Sequence, residues 1–375
     1  MKIIIAPDSF KGSMSASMAA GAIEAGIKRA MPEAETVKLP MADGGEGTVE
    51  AVFSIIGGRM VTVPVVDPLG YKVDANYCIT EDGIAFIEMA QASGLTLVPE
   101  EERNVMCSSS YGTGQLIKDA LDKDCRKIYV GIGGSATNDG GTGMAQALGA
   151  CFIGDKWRLL SGSGENLGKI RRIDASHMDE RLKDTEFVVL CDVSNPLCGP
   201  DGASFVYGPQ KGADAEQVKV LDEGMKNYAD ILMRDLKADV ADIPGAGAAG
   251  GMGVALMAFC GAKLVSGADA LMELYDFDEK IKGVDLVITG EGKTDASSLS
   301  GKAPQKVIAR AKKLGIRTAL LSGIIESSGC DMMSLGVSAA ASVVSGEITA
   351  EMSMSKAVVY TAETAEKLIK ALFRS

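Results

Sequence analysis

The segment from Lys127 to Met144, KIYVGIGGSATNDGGTGM, limits the possible folds of this chain more than any other stretch. It begins with residues typical of a buried strand, passes through a turn rich in glycine, and continues into the helix-forming residues 145–148. A loop of this kind lies at the carboxyl end of a strand, where open α/β sheets bind their ligands. Because glycine has no Cβ, the N–H groups of such a turn can approach an anion closely, and the segment predicts a phosphate-binding loop.

The polar residues of this turn, Thr137, Asn138 and Asp139, leave two interpretations open. Asp139 can cap the following helix, in which case the segment is only a tight connection, or it can bind a metal ion that accompanies phosphate. The string D-G-G-x-G occurs a second time at residues 43–47, again ahead of a predicted helix. Under capping alone this repeat would be a coincidence, so a shared functional role and simple capping both stay open for the pair.

Two further predicted strands are each followed by charged residues. Residues 2–6 form an apolar strand, and Val284–Thr289 form the clearest parallel strand of the chain. Acidic and basic side chains near helix N-termini suit the binding of a metal-bound phosphate. The alternative is simple helix capping for the first loop and a solvent-exposed charged turn for the second. Gly292-Lys293-Thr294 resembles the end of a Walker A loop, but the first glycine of that motif is replaced by valine at position 287. The polar residues that follow the two strands are Asp8, Ser9, Lys11, Ser13, Glu291, Lys293, Asp295 and Lys302.

A further predicted strand, Phe187–Cys191, is followed by Asp192 and Asn195. A carboxylate at this point can accept a proton from a hydroxyl group or bind a cation, whereas an Asx turn before Pro196 is the simpler alternative. The chain contains one histidine, His177, in a polar segment. An imidazole base and a histidine-rich zinc site are therefore not expected, and proton transfer falls to a carboxylate or a lysine.

The hydrophobic pattern changes near residue 60. Residues 61–90 alternate with a period of two between short turns, which predicts an antiparallel meander. The pattern of the first sixty residues resumes after about residue 283. We therefore predict an α/β protein with a discontinuous Rossmann-like, flavodoxin-like parallel-sheet domain (1–60 and 283–375) and an inserted mixed α/β domain (61–282). The glycine-rich segment 161–168 is expected to be a surface loop.

Charge and cysteine content limit the possible partners and location. The net charge of −12 and an aromatic content of 5% argue against binding of nucleic acid or an anionic membrane. The eight cysteines include no C-x-x-C pair and the opening apolar run is too short for a secretory signal, so we expect reduced thiols and a cytoplasmic location. A G-x-G-x-x-G string at residues 245–250 lacks the preceding strand that a dinucleotide site requires.

In combination these loops resemble the bacterial glycerate kinase family, the type I glycerate 2-kinases. The matching strings occur in order and cover the chain to about residue 310. Lys293 stands where the family commonly has arginine, which keeps the charge without the bidentate fork, and Ser297-Ser298 replace Gln-Ser or Gln-Thr. The strings are APDSFKGSMSA (6–16), ADGGEGT (42–48), FIEMAQASGL (86–95), GIGGSATNDGGTGM (131–144), CDVSNPLCGPDGAS (191–204), GPQKGA (208–213), PGAGAAGGMG (244–253) and TGEGKTD with GK (289–295 and 301–302).

The resemblance implies two α/β domains with an active site in the cleft between them. It also implies ATP-dependent phosphorylation of D-glycerate, with Mg²⁺ as cofactor and the 2-hydroxyl as acceptor. As hypotheses, Asp192 is the base, Lys11 and Lys302 neutralise the transferring phosphate or the glycerate carboxylate, and Glu291 and Asp295 hold Mg²⁺. Glycine amides are expected to bind anionic oxygens. The expected substrate- and phosphate-binding residues are Asp8, Ser9, Ser13, Asp43, Gly44, Gly45, Glu46, Gly133, Gly134, Ser135, Thr137, Asn138, Asp139, Gly140, Asn195 and Lys293.

Several alternatives stay open from the sequence. The protein can be a glycerate 3-kinase or a kinase of another small hydroxy acid, which a substrate panel would separate. It can instead be a nucleotide-responsive binding protein, which would not consume ATP when glycerate is added. A dinucleotide oxidoreductase comes last and requires binding of NAD(P)H.

Overall fold

The computed structural model describes residues 1–295, 301–326, 336–346 and 348–373. Ser297 and Ser298, at which the sequence departs from the family pattern, lie outside the described residues. The strands in chain order are β1 (Lys2–Ile5), β2 (Glu35–Lys38), β3 (Arg59–Val66), β4 (Lys72–Ile79), β5 (Ile84–Glu88), β6 (Lys127–Gly131), β7 (Cys151–Ile153), β8 (Leu159–Leu160), β9 (Arg172–Asp174), β10 (Glu186–Leu190), β11 (Lys263–Val265), β12 (Leu286–Thr289), β13 (Lys293–Thr294), β14 (Thr318–Ser322), β15 (Ile324–Ile325) and β16 (Ala339–Ser342).

The α-helices alternate with these strands over much of the chain. In order they are α1 (Ala16–Ala30), α2 (Thr48–Ile56), α3 (Ala90–Ser93), α4 (Tyr111–Asp122), α5 (Thr142–Ala147), α6 (Ala203–Tyr207), α7 (Ala215–Ile231), α8 (Ala248–Cys260), α9 (Gly267–Leu274), α10 (Phe277–Lys280), α11 (Ala303–Lys313), α12 (Ala350–Ser355) and α13 (Ala357–Leu372).

The chain divides into two compact units, each with its own sheet and hydrophobic core. Unit 1 contains Met1–Asp43, Glu50–Ile56 and Ala268–Ser375, and unit 2 contains Gly44–Val49 and Gly57–Gly267. The main sheet of unit 1 is parallel and that of unit 2 is mixed. The predicted α/β class, with one parallel and one mixed sheet, is confirmed.

Unit 1 is built on a parallel sheet with the strand order β16-β14-β12-β1-β2 within the described ranges. Ile5 of β1 and Ile288 of β12 are register partners and are fully buried. Ile23 of α1 and Ile369 of α13 pack into the same core. Helix α1 begins where the Ser15 side chain accepts a hydrogen bond from the backbone of Met18, which satisfies one N–H of the first turn.

Unit 2 contains a mixed sheet with the order β11-β10-β6-β5-β4-β3 among the described strands. Strands β3, β4 and β5 pair antiparallel, as the alternating pattern of residues 61–90 predicts, and β5, β6, β10 and β11 pair parallel. Val130 and Val189 are register partners in the core, together with Leu116 of α4 and Met252 of α8. The carboxyl ends of β6 and β10 therefore lie side by side.

The prediction of a surface loop at residues 161–168 is wrong. Gly162, Ser163 and Leu167 are buried, and a 3₁₀ helix forms over Gly164–Lys169. A Cβ on Gly162 would lie 2.4 Å from the backbone nitrogen of Gly143. The glycines of this segment therefore permit close packing of the main chain, and their presence does not indicate exposure.

Residues 243–262 contain no charged side chain, and α8 within this stretch is a buried helix of unit 2. Much of the helix, including Met252, Val254 and Leu256, is fully buried within the unit. In the described ranges, no helix combines the length and the apolar character that crossing a bilayer requires.

Candidate active site

The carboxyl ends of β1 and β12 bring two charged loops of unit 1 together. The strands are parallel neighbours, so the residues that follow them emerge at the same edge, and the N–H of Asp8 donates to the carbonyl of Gly290 at 2.8 Å. These loops line a cavity of about 330 Å³, within the size range of small-molecule sites. All the predicted site residues of this unit line it, namely Asp8, Ser9, Lys11, Ser13, Asp43, Glu291, Lys293, Asp295 and Lys302.

Carboxylates crowd the buried side of this cavity. Asp8 is 7% exposed and accepts a hydrogen bond of 2.6 Å from the N–H of Ser9. Burial, followed by the negative charge of Asp43, raises the pKa of Asp8 to about 7, and Glu291 acts in the same direction against Lys11. The Lys11 ammonium lies 3.8 Å from the Asp43 carboxylate. A cation bound here would be stabilised by this concentration of negative charge.

Glu291 is held in place by its neighbours. The hydroxyl of Thr294 donates to its carboxylate at 3.3 Å, and the N–H of Gly323 donates to its carbonyl at 3.0 Å. Lys293 lies 3.9 Å from Asp295 and 2.8 Å from Glu326.

The described residues contain no group of three or more acidic, cysteine or histidine side chains placed to hold a metal ion. Mg²⁺ usually takes one or two carboxylates and completes its shell with water and substrate phosphates. The two predicted ligands, Glu291 and Asp295, fit that pattern because both carboxylates line the same cavity.

The remaining wall of the cavity is largely apolar and also includes the hydroxyl-bearing residues Ser353 and Thr361. Ile324, Val344, Met354 and Ala357 line it together with Phe10. Lys302 occupies the residue before α11, so its main chain forms the start of that helix. The cavity thus combines charged residues from strand ends with an apolar surface from helices and loops.

In unit 2, the two glycine loops contact each other through their main chains. The N–H of Gly133 donates to the carbonyl of Gly44 at 3.1 Å. A Cβ on Gly133 would lie 2.6 Å from the Cα of Gly45, and one on Gly44, whose φ is +87°, would lie 2.5 Å from the carbonyl of Leu190. The glycines at these positions are required by the close approach of three backbone segments. Glu46 is exposed beside them.

Two of the glycine amides predicted to bind anionic oxygens already have main-chain acceptors. The amide of Gly133 is bonded to Gly44, and that of Gly140 donates to the carbonyl of Gly250 at 2.9 Å. These two amides are therefore less suited to anion binding than an exposed amide such as that of Gly134, because each would have to give up a protein hydrogen bond. Gly134 is exposed on the same loop and keeps its predicted role as a proposal.

The contact with Gly250 also explains the glycine-rich string at residues 244–253. Gly250 has a φ of +69°, and a Cβ there would lie 2.1 Å from the carbonyl of Thr137. This string therefore packs against the loop that follows β6. Its resemblance to a dinucleotide motif reflects a similar need for close backbone approach.

Asp139 is buried in the interior of its loop. Its carboxylate accepts hydrogen bonds from the N–H and hydroxyl of Ser110 and from the N–H groups of Gly141 and Gly143, at 2.7–3.0 Å. Burial raises the pKa of Asp139 and these hydrogen bonds oppose the shift. The carboxylate thus holds the loop together, and direct contact with a ligand would require these bonds to break.

Three other predicted residues of this loop are also buried. Thr137 and Asn138 are fully buried, and the amide of Asn138 donates to the hydroxyl of Ser204 at 2.9 Å. Ser135 is 6% exposed and accepts a hydrogen bond from the side chain of Lys211. In this structure these side chains shape the loop from within, a role that the sequence prediction of ligand contact did not include.

Asp192 and Asn195 follow β10 but differ in their surroundings. Asp192 is exposed and lines a cavity of about 290 Å³ in unit 2. The Asn195 amide donates to the carbonyl of Asp201 at 2.8 Å and its oxygen accepts from the hydroxyl of Tyr207 at 2.6 Å. Asn195 therefore stabilises the turn, while Asp192 is accessible to a ligand.

Sequence reasoning missed two buried charged residues beside the glycine loops, Glu88 and Lys211. Glu88 accepts a hydrogen bond of 2.6 Å from the N–H of Val49, at the start of α2. Lys211 donates to Ser135 and Thr137. The sequence indicates these residues only by their position, because each is the single charged residue in an apolar or glycine-rich string, FIEMAQASGL or GPQKGA.

Comparison with known proteins identifies the family. The model of the glycerate kinase family matches residues 3–373 of this chain. Glycerate 2-kinase of Escherichia coli K12 is 48% identical over 339 residues, covering 88% of this chain and 89% of that protein. Glycerate kinase of Bacillus subtilis 168 is 43% identical over 380 residues and covers all of both chains.

A solved structure gives the same result. A crystal structure of a Salmonella typhimurium LT2 protein, proposed to be a glycerate kinase 2, matches with a TM-score of 0.87 and 44% identity. The match covers 99% of this chain and 98% of that chain. The chain described here is therefore an enzyme of the glycerate kinase family.

Proposed function

We propose that this protein transfers the γ-phosphate of ATP to the 2-hydroxyl of D-glycerate, giving 2-phosphoglycerate, with Mg²⁺ as cofactor. The observation that supports it best is the cavity of unit 1, in which three lysines and several carboxylates meet at parallel strand ends, in a chain 48% identical to a glycerate 2-kinase. Such a combination of charges suits phosphoryl transfer, which depends on positioning and on neutralising phosphate charge.

The proposal has to explain how a protein with a net charge of −12 binds two anions. Distant carboxylates are screened beyond about 8 Å at physiological salt. A lysine about 4 Å from a phosphate oxygen contributes roughly 4 kcal/mol at an effective dielectric constant of 20. Lys11 and Lys302 line the cavity, so they are placed to attract a bound phosphate locally, and a bound Mg²⁺ would offset the carboxylates that line the cavity with them.

Glu291 and Asp295 are the proposed Mg²⁺ ligands. Both line the cavity, and the carboxylates of Asp8 and Asp43 add negative charge nearby. When bound, Mg²⁺ supplies charge neutralisation and alignment of the phosphate groups.

We propose that Asp192 accepts the proton of the substrate hydroxyl, because it is an exposed carboxylate at a strand end and the chain has no suitable histidine. The amides of Gly44, Gly45 and Gly134 are proposed to bind anionic oxygens. The location of the active site in a cleft between domains stays a prediction from the resemblance. The cytoplasmic location stays a prediction from the sequence.

The test is the product of the reaction. Incubation with ATP, Mg²⁺ and D-glycerate, followed by phosphorus NMR, should give the resonance of 2-phosphoglycerate. A 3-phosphoglycerate signal would support the glycerate 3-kinase alternative, and faster turnover of another hydroxy acid in a substrate panel would change the assigned substrate. A protein that binds ATP without consuming it when glycerate is added would contradict the proposal.

Variants link this activity to the cavity. Lys11→Met should lower kcat/KM by about tenfold or more, since a charge that acts on the phosphate is lost. Lys282→Met is the matched control, because Lys282 is an exposed lysine of the same unit that pairs with Glu279. Equal activity of the two variants would remove Lys11 from the proposed site.

A further inference from the structure

Lys211 is a buried lysine with a defined set of partners. Its side chain is 2% exposed, and its amine donates to the hydroxyl of Ser135 at 2.8 Å and to the carbonyl of Thr137 at 2.7 Å. Lysine is rarely buried to this degree unless it is paired. A fold that needed only to fill this volume would use an apolar side chain, so the amine itself has a role here.

The two acceptors lie in the middle of the loop that follows β6. The ends of this loop are attached by main-chain hydrogen bonds, from Gly133 to Gly44 and from Gly140 to Gly250. Lys211 attaches the segment between them, one residue after the exposed Gly134. Without this amine, Ser135 and the Thr137 carbonyl would lose a buried hydrogen-bond donor.

The buried position of Lys211 also affects the protonation of its amine. Burial lowers its pKa to about 7, opposed by the negative charge of Asp139. The structure provides two acceptors for the amine, the hydroxyl of Ser135 and the carbonyl of Thr137. The guanidinium of Arg103 is a further charged group near this segment and donates to the carbonyl of Gln210.

We propose that Lys211 is a positioning residue, whose amine fixes Ser135 and Thr137 so that the main chain at Gly134 is presented to an anionic oxygen of the substrates. The ligand chemistry is that of a phosphate or a carboxylate. This inference rests on the proposed function, because it assumes that the loop contacts a substrate. It assigns no direct contact between Lys211 and the reacting atoms.

Two variants of Lys211 and one control test the proposal. Lys211→Met removes both donors at similar length, and Lys211→Gln retains a shorter donor group. Lys219→Met is the control, because Lys219 is an exposed lysine of α7 that pairs with Glu216. At a temperature well below unfolding, Lys211→Met should lower kcat/KM by about tenfold to hundredfold, as expected for a misplaced binding loop, while Lys211→Gln loses less and the control changes less than twofold.

Hydrogen exchange distinguishes positioning from general stabilisation and does not depend on turnover. Lys211→Gln should increase exchange at residues 133–141 while exchange in β6 and β10 stays at the wild-type level. Faster exchange throughout unit 2 together with an unchanged kcat/KM would overturn the proposal. Faster loop exchange in Lys211→Gln, found together with a wild-type protein that does not phosphorylate glycerate, would instead contradict the proposed function alone.

If Lys211→Met does not fold, Ser135→Ala tests the same hydrogen bond from its other partner. It removes one acceptor with a small change in volume and should lower kcat/KM by about threefold to tenfold. In the Lys211→Gln background its effect should shrink, because the two residues act through the same hydrogen bond. Equal effects in both backgrounds would show that Lys211 does not act through Ser135 and would overturn the proposal.

Discussion

The backbone N–H of Val49 donates a hydrogen bond of 2.6 Å to the carboxylate of Glu88, which is 2% exposed. Val49 lies in the first turn of α2, directly after the glycine loop at residues 44–47. An acceptor at this point satisfies an N–H group that has no partner within the helix. Strand β5, which ends at Glu88, thus fixes the start of α2 and the loop before it.

Glu88 should make stability depend on pH. Burial raises its pKa to about 7, against the hydrogen bonds from Val49 and Gly47, so the folded state favours the protonated form. Its contribution to the free energy of unfolding is present below about pH 4.5 and is lost as pH rises to about 7. Glu88→Gln, which does not titrate, should show a shallower decline in urea unfolding across this window.

Glu100→Gln provides the control for that measurement, since Glu100 is an exposed glutamate of the same unit. Its stability profile should run parallel to that of the wild type. If the Glu88→Gln profile is parallel as well, Glu88 does not titrate in this range.

Gly133→Ala should disturb both glycine loops. The new Cβ would lie 2.6 Å from the Cα of Gly45, so the backbone has to move. We expect a loss of roughly 1–3 kcal/mol in the free energy of unfolding and a lower kcat/KM. Gly21→Ala, in α1 and with no atom within 4 Å of the position that its Cβ would occupy, should instead add roughly 0.5–1 kcal/mol. Equal effects of the two substitutions would contradict the tight packing at Gly133.

Asp139→Asn should act mainly on stability. The side-chain amide would face N–H groups that now donate to a carboxylate, leaving buried donors without acceptors. We expect a loss of roughly 2–4 kcal/mol, measured by urea unfolding. A normally stable but inactive variant would restore the direct ligand role that the sequence suggested.

Asp192→Asn should show the opposite pattern. The residue is exposed, so its substitution should change stability by less than about 0.5 kcal/mol. If Asp192 is the base, kcat should fall by about 10²–10⁴-fold with both substrates still binding. Retention of most of the kcat with normal substrate binding would assign proton transfer to another carboxylate, with Asp43, Asp139 and Asp295 the next candidates.

Lys211 should give stability a second pH dependence, in the alkaline range. Its pKa falls to about 7 in the folded state, whereas an unfolded lysine keeps its usual value near 10.5, so the unfolded state binds more protons between these limits. The free energy of unfolding should therefore rise with pH in this window. Lys211→Met should lack that rise and so become increasingly less stable than the wild type from pH 7 to pH 9.5.

The sequence predicted the residues around the cavity of unit 1 because their placement follows from strand order alone. Asp8 and Glu291 each follow a short apolar strand, and neighbouring parallel strands deliver the residues after them to the same edge. Recognising these polar strand ends needed only the predicted strands, whereas the roles assigned to the residues came from the resemblance to the family. The roles of these residues in binding stay predictions.

The sequence could not show which glycine amides are available. Gly133 and Gly140 have the same local pattern as Gly134, and what distinguishes them are carbonyl groups of Gly44 and Gly250, distant along the chain. Glu88 and Lys211 were missed for a similar reason. A charged residue within an apolar string can lie on either face of its element, and burial depends on tertiary packing.

The contact of Gly133 with Gly44 and Gly45 has an evolutionary consequence. A pocket lined by side chains can be widened by one substitution that shortens a side chain. The main chains of these two loops are in direct contact, so no side chain can be shortened to make space. If this loop contacts the substrate as proposed, a relative that accepts a larger one there would need compensating changes in segments almost ninety positions apart. Acquiring a new substrate by this route would therefore require several coordinated mutations.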